Sequence, residues 1–209
     1  MSQRPRTSPS SKLAATAPRQ PRYVIRPAER ADYAAVCQRL PHLTHWMQDG
    51  TPVGSGSADE HVITFKLGEV DDGHPLTWLL LDGPTIRACA LLRKERACNA
   101  DFQPQPGMAL WIDDLYADDL YAGPDRPGGV PFGPLMVDWF ADYAARYDQA
   151  RWVCEWTSVA RLADAVGPRH GMEVRRSTPC SASLLRRPAR LHPRLAQTVE
   201  AQLPPCVRG

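Results

Sequence analysis

Apolar residues fall along this chain in two rhythms, and the switching between them predicts an α/β fold. Residues 23–27 (Tyr-Val-Ile-Arg-Pro) form a short β-like run that proline stops. Residues 28–40 then place Tyr33, Val36, Cys37 and Leu40 at helical spacing, and Pro41 ends the pattern. From 41 to 73 the pattern is mixed: 51–57 reads as a loop, and 59–67 fits either a helix or a strand. Two strands follow, 77–81 and 86–94, joined by Asp82-Gly83-Pro84-Thr85, an Asp-Gly hairpin signal that the proline lengthens. A Pro/Gln-rich loop over 102–107 leads to a third strand, 108–117, bounded by Asp118-Asp119.

A Gly/Pro-rich loop, 121–129, feeds a helix over 131–147. Leu135, Val137, Trp139, Phe140, Tyr143 and Tyr147 form its apolar stripe. Pro131 and Pro134 fall in the opening turn, where a missing N–H does least damage. A strand over 151–156 and a helix over 159–166 come next, the helix ended or kinked by Gly167-Pro168. Segments 172–176 and 181–185 close as a strand pair, and a short helix over 193–203 is expected in the C-terminal tail. Three consecutive strands before the central helix exclude strict βαβ alternation and predict a mixed sheet.

Length and charge sharpen this picture. The 209 residues suit one domain, expected over 23–186, with tails at 1–22 and 187–209. The first 22 residues carry Arg4, Arg6, Lys12, Arg19 and Arg22 and no acid, and read as a disordered tail. An organelle transit peptide or an unconventional secretion signal has the same composition, whereas a secretory signal peptide would need an apolar stretch that is missing. A net charge of +2 gives no argument for a nucleic-acid or membrane partner, and no apolar run approaches the ~20 residues that span a bilayer. The six cysteines are scattered, without a CxxC pair or a histidine at zinc-finger spacing. A reducing, cytoplasmic setting and no metal are expected, with Cys37, Cys89 and Cys154 as small core residues.

Three motifs carry a resemblance. Residues 23–28 followed by a helix containing Asp32, the strand Trp111-Ile112-Asp113-Asp114-Leu115-Tyr116-Ala117, and Cys154-Glu155-Trp156-Thr157 together resemble the GNAT (GCN5-related N-acetyltransferase) superfamily. The last two motifs are similar to those of its diamine and small-amine branch. The resemblance covers about residues 23–186. It implies a mixed, largely antiparallel central sheet flanked by helices. It also implies acetyl-CoA as acyl donor, a small-molecule amine as acceptor, and a fold for which a homodimer is plausible. Protein or peptide acetylation is the alternative, as is a degenerate domain acting by CoA binding or protein interaction.

In that family a Gly-rich turn feeding a helix holds the CoA pyrophosphate. Arg126, Gly128, Gly129, Val130, Phe132 and Gly133 can be laid on it, with Pro131 where a second Gly or Ala is usual. The physics agrees, because a helix N-terminus gathers unpaired N–H groups and positive potential. The main chain of Leu115, Tyr116 and Ala117 would then run beside the pantetheine arm, with Thr157 on the neighbouring strand.

Acetyl transfer needs a neutral amine nitrogen, whereas a free alkylamine has a pKa near ~10.4. A carboxylate at the strand ends could attract the cation and remove its proton. Asp113 is favoured, Asp114 is second, and Glu155 would orient the substrate. Adjacent strand residues face opposite sides, so Asp113 and Asp114 share a pocket only if a bulge intervenes. The family's thiolate-protonating tyrosine is absent: aligning Gly171-Met172 with the Gly-Phe step that follows it puts Gly167 at its position. Tyr116 and Tyr121 are conceivable substitutes, and the six histidines form no catalytic spacing.

Overall fold

The structure, a computed structural model, describes residues 22–32, 34–36, 70–71, 74–75, 77–117, 131–157 and 160–203. Strand β1 (Tyr23–Pro27) is followed by a small ribbon of β2 (Val70–Asp71) and β3 (His74–Pro75). Then come β4 (Thr77–Asp82), β5 (Thr85–Cys98) and β6 (Pro104–Ala117). Helix α1 (Phe132–Tyr143), β7 (Trp152–Thr157) and α2 (Ala160–Arg169) precede a hairpin of β8 (Glu173–Arg176) and β9 (Ser183–Pro188), and β10 (Val199–Ala201) ends the described chain. Apart from the ribbon, the described strands make one eight-stranded sheet in the order β10-β1-β4-β5-β6-β7-β9-β8. The β1–β10 and β6–β7 pairs are parallel and the other neighbours antiparallel, which is the mixed, largely antiparallel sheet predicted.

Several elements differ from their sequence reading, each for a local reason. The loop expected over 102–107 is shorter, because β5 and β6 keep pairing as far as Cys98 and Pro104. Asn99 closes this turn: its Oδ1 accepts from the N–H groups of Asp101 and Gln103, and Phe102 is held at φ 62°. Helix α2 runs through Gly167-Pro168 to Arg169 instead of stopping at 166. Proline lacks only its own N–H, and the ladder resumes where His170 N–H donates to the Val166 carbonyl at 2.9 Å. The helix expected over 193–203 is a single 3₁₀ turn, Leu195–Gln197, and then β10. The edge of β1 captures this segment, with Arg22 and Tyr23 N–H donating to Thr198 O and Gln202 N–H to Ile25 O. Of the helix expected over 28–40, the described residues include a 3₁₀ turn, Arg30–Asp32, and helical residues 34–36; Cys37 and Leu40 lie outside them. Asp32 anchors that turn by accepting from Arg26 Nη1 and Nη2 at 2.7 and 2.8 Å and from Glu29 N–H at 2.8 Å. The Arg26 hydrogen bonds lead in holding the Asp32 carboxyl below the usual range.

The main core lies between the sheet and one face of α1. Met136, Val137, Phe140 and Tyr143 are buried there against Ile25, Trp78 and Leu80. Helix α2 packs on the same side through Ala163 and Val166. Gly167 packs tightly against β8: a Cβ there would lie 2.5 Å from Val174 Cγ2 and 3.7 Å from Leu185 Cδ2. Gly167→Ala is therefore expected to destabilise by roughly 1–3 kcal/mol through overpacking. Alanine is otherwise the better helix former by about 1 kcal/mol, so the sign should reverse in a Val174→Ala background. Urea unfolding of the two single variants, the double variant and the native chain checks this; a single variant as stable as the native chain overturns it.

Candidate active site

Strands β6 and β7 pair only from Ala109↔Trp152 to Ile112↔Glu155. Beyond that point β6 stays with β5 as far as Ala117↔Ala88, while β7 stays with β9 as far as Thr157↔Ser183. The two parallel strands therefore splay in the middle of the sheet. Along the gap, the β6–β7 ladder ends at Ile112 and Glu155, so residues 113–117 of β6 and 156–157 of β7 are not paired to one another. Peptide groups at such an edge suit an extended ligand that can complete the ladder.

A bulge sits at the root of the gap. Leu92 pairs with Ile112 and Leu91 with Asp114, which leaves Asp113 as the extra residue. Ile112 and Leu115 consequently both enter the core under α1 although they are three positions apart. This is a bulge of the kind under which the two adjacent aspartates could share a pocket. Asp113 faces the opposite side from α1, where its Oδ1 accepts from Arg93 Nε at 2.6 Å, and its side chain is 32% exposed. Arg93 also pairs with Glu95, and its guanidinium lies 5.5 Å from the Trp111 ring. Burial pushes the Asp113 carboxyl up from its ordinary value, against the lowering pull of Arg93.

Glu155 occupies the last position of β7 that pairs with β6. It alternates with Cys154 and Trp156, which belong to the cluster on the Trp111 side, so it falls on the α1 side by strand parity. The structure does not bring Asp113 and Glu155 together: they flank the root of the gap on opposite faces. Of the expected donor contacts, Leu115, Tyr116, Ala117 and Thr157 are buried. Leu115 and Ala117 enter the core under α1, and Tyr116 enters the cluster with Leu79 and Cys89 on the other face. Arg126, Gly128, Gly129 and Val130 lie outside the described residues, as does Tyr121.

Helix α1 begins at the end of β6. Leu135 N–H makes the first intrahelical bond, to Pro131 O at 3.0 Å, and Pro134 has no N–H. Phe132 lies edge-on to Tyr23, ring centroids 5.7 Å apart, which fixes the start of the helix over β1.

One residue at this point had no signal in the sequence. His170, at the end of α2, is 1% exposed, and both its ring nitrogens are buried without a hydrogen-bond partner. A Cβ on Gly133 would lie 2.7 Å from His170 Nε2 and 3.6 Å from Ala117 Cβ, so only glycine fits beneath the ring. Position 167, read from the sequence as the site of a missing tyrosine, points into β8 instead, and His170 is the residue of that turn which faces α1. Among the described residues no group of His, Cys, Asp and Glu side chains could hold a metal ion, and no helix is long and apolar enough to cross a membrane.

No protein-family model matches the chain, and no curated protein matches it. Solved structures do. An aminoglycoside N(6')acetyltransferase from Legionella pneumophila aligns over 81% of this chain and 94% of its own, with 15% identity and a TM-score of 0.51. The GNAT domain of S. lividans PAT aligns over 78% and 89%, with 15% identity and a TM-score of 0.52. A spermidine N-acetyltransferase from Vibrio cholerae, in complex with CoA and spermine, aligns over 80% and 96%, with 11% identity and a TM-score of 0.51. At these identities the likeness is one of fold, and the fold is that of GNAT acetyltransferases.

Proposed function

We propose that this protein is an acetyl-CoA-dependent N-acetyltransferase that passes the acetyl group directly to a primary amine of a small molecule. The observation that carries the reading is the splay of β6 from β7, with the first turn of α1 set at its end. An extended thioester donor can lie along the open edge at residues 113–117 while its phosphates meet the helix N-terminus. The residues present fit such a donor, since buried main chain lines the edge and Gly133 keeps the first turn of α1 against Ala117. The donor supplies an acyl carbon activated by a thiol leaving group.

The chain's own part is placement and proton handling. Asp113, on the face away from α1, attracts the ammonium group and accepts its proton, directly or through a water, before attack. Asp114, next to the bulge, is the second candidate, and Glu155 orients the acceptor from the other face. Two of the similarly folded enzymes are named for an aminoglycoside and for spermidine, which supports a small amine as acceptor. A second reading, a degenerate domain that binds CoA without turnover, is favoured by one observation: Arg93 already engages the Asp113 carboxylate.

Calorimetric titration with acetyl-CoA, followed by thiol release on a panel of polyamines, amino sugars, amino acids and short peptides, separates these readings. Binding that Arg126→Ala/Gly129→Glu abolishes, with turnover on a small amine, is the expected result. Binding without turnover supports the degenerate domain, turnover on peptides alone moves the acceptor class, and no binding at millimolar donor ends the enzyme reading.

A further inference from the structure

Three nearly parallel rings run across the face opposite α1, on the side of Asp113. Trp156 lies 6.3 Å from Trp111 at an interplanar angle of 8°, and Phe102 lies 4.5 Å from Trp156 at 14°. The inner end of this ladder is closed, because Trp111 is 3% exposed and has the Arg93 guanidinium over its ring. Its outer end is open: Phe102 is 51% exposed, with its ring stacked on Trp156. Trp156 and Asp113 are the first residues past the end of the β6–β7 ladder, on opposite sides of the gap and on one face of the sheet. The chain holds Phe102 there against its backbone preference. Its φ of 62° lies in the left-handed region, where a bulky residue is an outlier and where outliers cluster at ligand clamps. The turn that carries it is fixed without the ring. Asn99 Oδ1 accepts from the Asp101 and Gln103 N–H groups, and Asp101 Oδ1 accepts from Thr178 N–H and Oγ1 at 3.0 and 2.7 Å. The Trp156 indole donates to Cys98. None of these bonds needs a phenyl group at position 102, where glycine would adopt the same φ without strain.

We propose that Phe102 is a specificity-determining residue for the acceptor, and that the acceptor is a monoamine carrying a planar aromatic group. Its ammonium meets Asp113, and its aromatic group packs on the open face of Phe102, which Trp156 backs. The proposal rests on the acetyltransferase reading of the β6–β7 gap and narrows the small-molecule amine of that reading. A flat apolar face in line with two further rings suits another π-system. A second ammonium suits it less. Arg93 sits at the inner end of the ladder, over Trp111 and bonded to Asp113, so a polycation lying along the rings would approach a like charge. Tryptophan is also the better ring for holding a cation, and the ring at the open end is phenylalanine. Phe102 lies away from the reacting atoms and contributes equally in the ground and transition states, so its loss raises KM and leaves kcat.

The test uses the full chain, acetyl-CoA and a series of phenylalkylamines of increasing spacer length, beside hexylamine and spermidine. Native protein is expected to favour the phenylalkylamines over hexylamine in kcat/KM, with an optimum at one spacer length. Phe102→Gly should raise KM for the best of them roughly three- to tenfold, the range for one stacked pair, with kcat within twofold. The same variant should unfold in urea at an equal or higher midpoint, because glycine relieves the left-handed backbone. A ring with only a structural role would lower that midpoint and leave the phenyl-over-hexyl ratio as it is. Phe102→Tyr keeps the flat face and should keep the ratio. A ratio that Phe102→Gly leaves within twofold overturns the proposal, and so does spermidine as the best acceptor of the native chain. Should the chain turn over no amine, the acetyltransferase reading falls, and phenylpropylamine becomes a binding probe. Its addition should shift the Trp156 indole N–H signal, assigned by difference from the Trp156→Phe NMR spectrum, in the native chain and not in Phe102→Gly. An unmoved signal in the native chain overturns the proposal on its own account.

Discussion

Trp78→Ala is expected to cost about 3–5 kcal/mol of stability, the range for emptying a fully buried aromatic site. Domains of this kind are stable by only ~5–15 kcal/mol, so the variant should sit near its unfolding threshold. Trp78 is 0% exposed, and its strand β4 lies between β1 and β5. Its ring packs against Trp139 and Tyr143 of α1, with centroids 4.7 and 5.2 Å away, and those two rings are themselves stacked at 5.0 Å. Alanine would leave a void between sheet and helix that the two remaining rigid rings, Trp139 and Tyr143, cannot close by small adjustments. Guanidinium unfolding should show a lower midpoint with an unchanged slope. Trp156→Ala, at a half-buried position stacked on the exposed Phe102, is the comparison and should cost distinctly less. A Trp78→Ala loss under about 1.5 kcal/mol would mean that α1 is held chiefly by other contacts. The consequence reaches function, because α1 carries Gly133 to the end of β6.

Asp113→Asn is expected to lower kcat/KM for the amine by roughly 10²-fold or more at neutral pH, the usual contribution of a general base, with acetyl-CoA affinity unchanged. Asparagine keeps the size of the side chain and a hydrogen bond to Arg93 but can neither hold a cation nor take its proton. Arg93→Met supplies the pH test. Burial already raises the Asp113 carboxyl, and Arg93 opposes that rise. Removing the guanidinium removes a lowering influence, so Asp113 would stay protonated to higher pH. The acid limb of the pH–rate profile should accordingly move upward, with activity lost earlier as pH falls. Steady-state kinetics on the best amine of the panel, from pH 5 to 9, measures both effects. A turnover for Asp113→Asn within twofold of native would reduce Asp113 to the structural partner of Arg93 and pass the base role to Asp114.

Local pattern carried a large part of the fold. Apolar runs bounded by turn residues placed β1, β4, β7 and the β8–β9 hairpin to within a few residues, and the stripe from Leu135 to Tyr143 placed α1, because burial of one face is written into the periodicity of the element that does it. The motifs around Asp113, Leu115 and Glu155 likewise brought the reader to the two strands that bound the gap. Sequence also left a conditional statement about the paired aspartates, and the bulge at Asp113 supplies its condition.

Only the tertiary structure could decide the rest, since those features depend on partners distant in the chain. The C-terminal segment read as helical from its own residues, yet it is a strand because the open edge of β1 accepts its hydrogen bonds. Gly167 looked like an absent catalytic tyrosine, whereas the crossing of α2 over β8 makes it a close-packing glycine. His170 had no companion in sequence. Its environment is assembled from Ala117, Gly133, Asp138 and Arg187, four residues on three elements, and a buried imidazole takes its chemistry from the charges and voids around it. Periodicity thus determined which segments become strands and helices. Long-range pairing determined where the sheet opens and which ring packs on the first turn of α1.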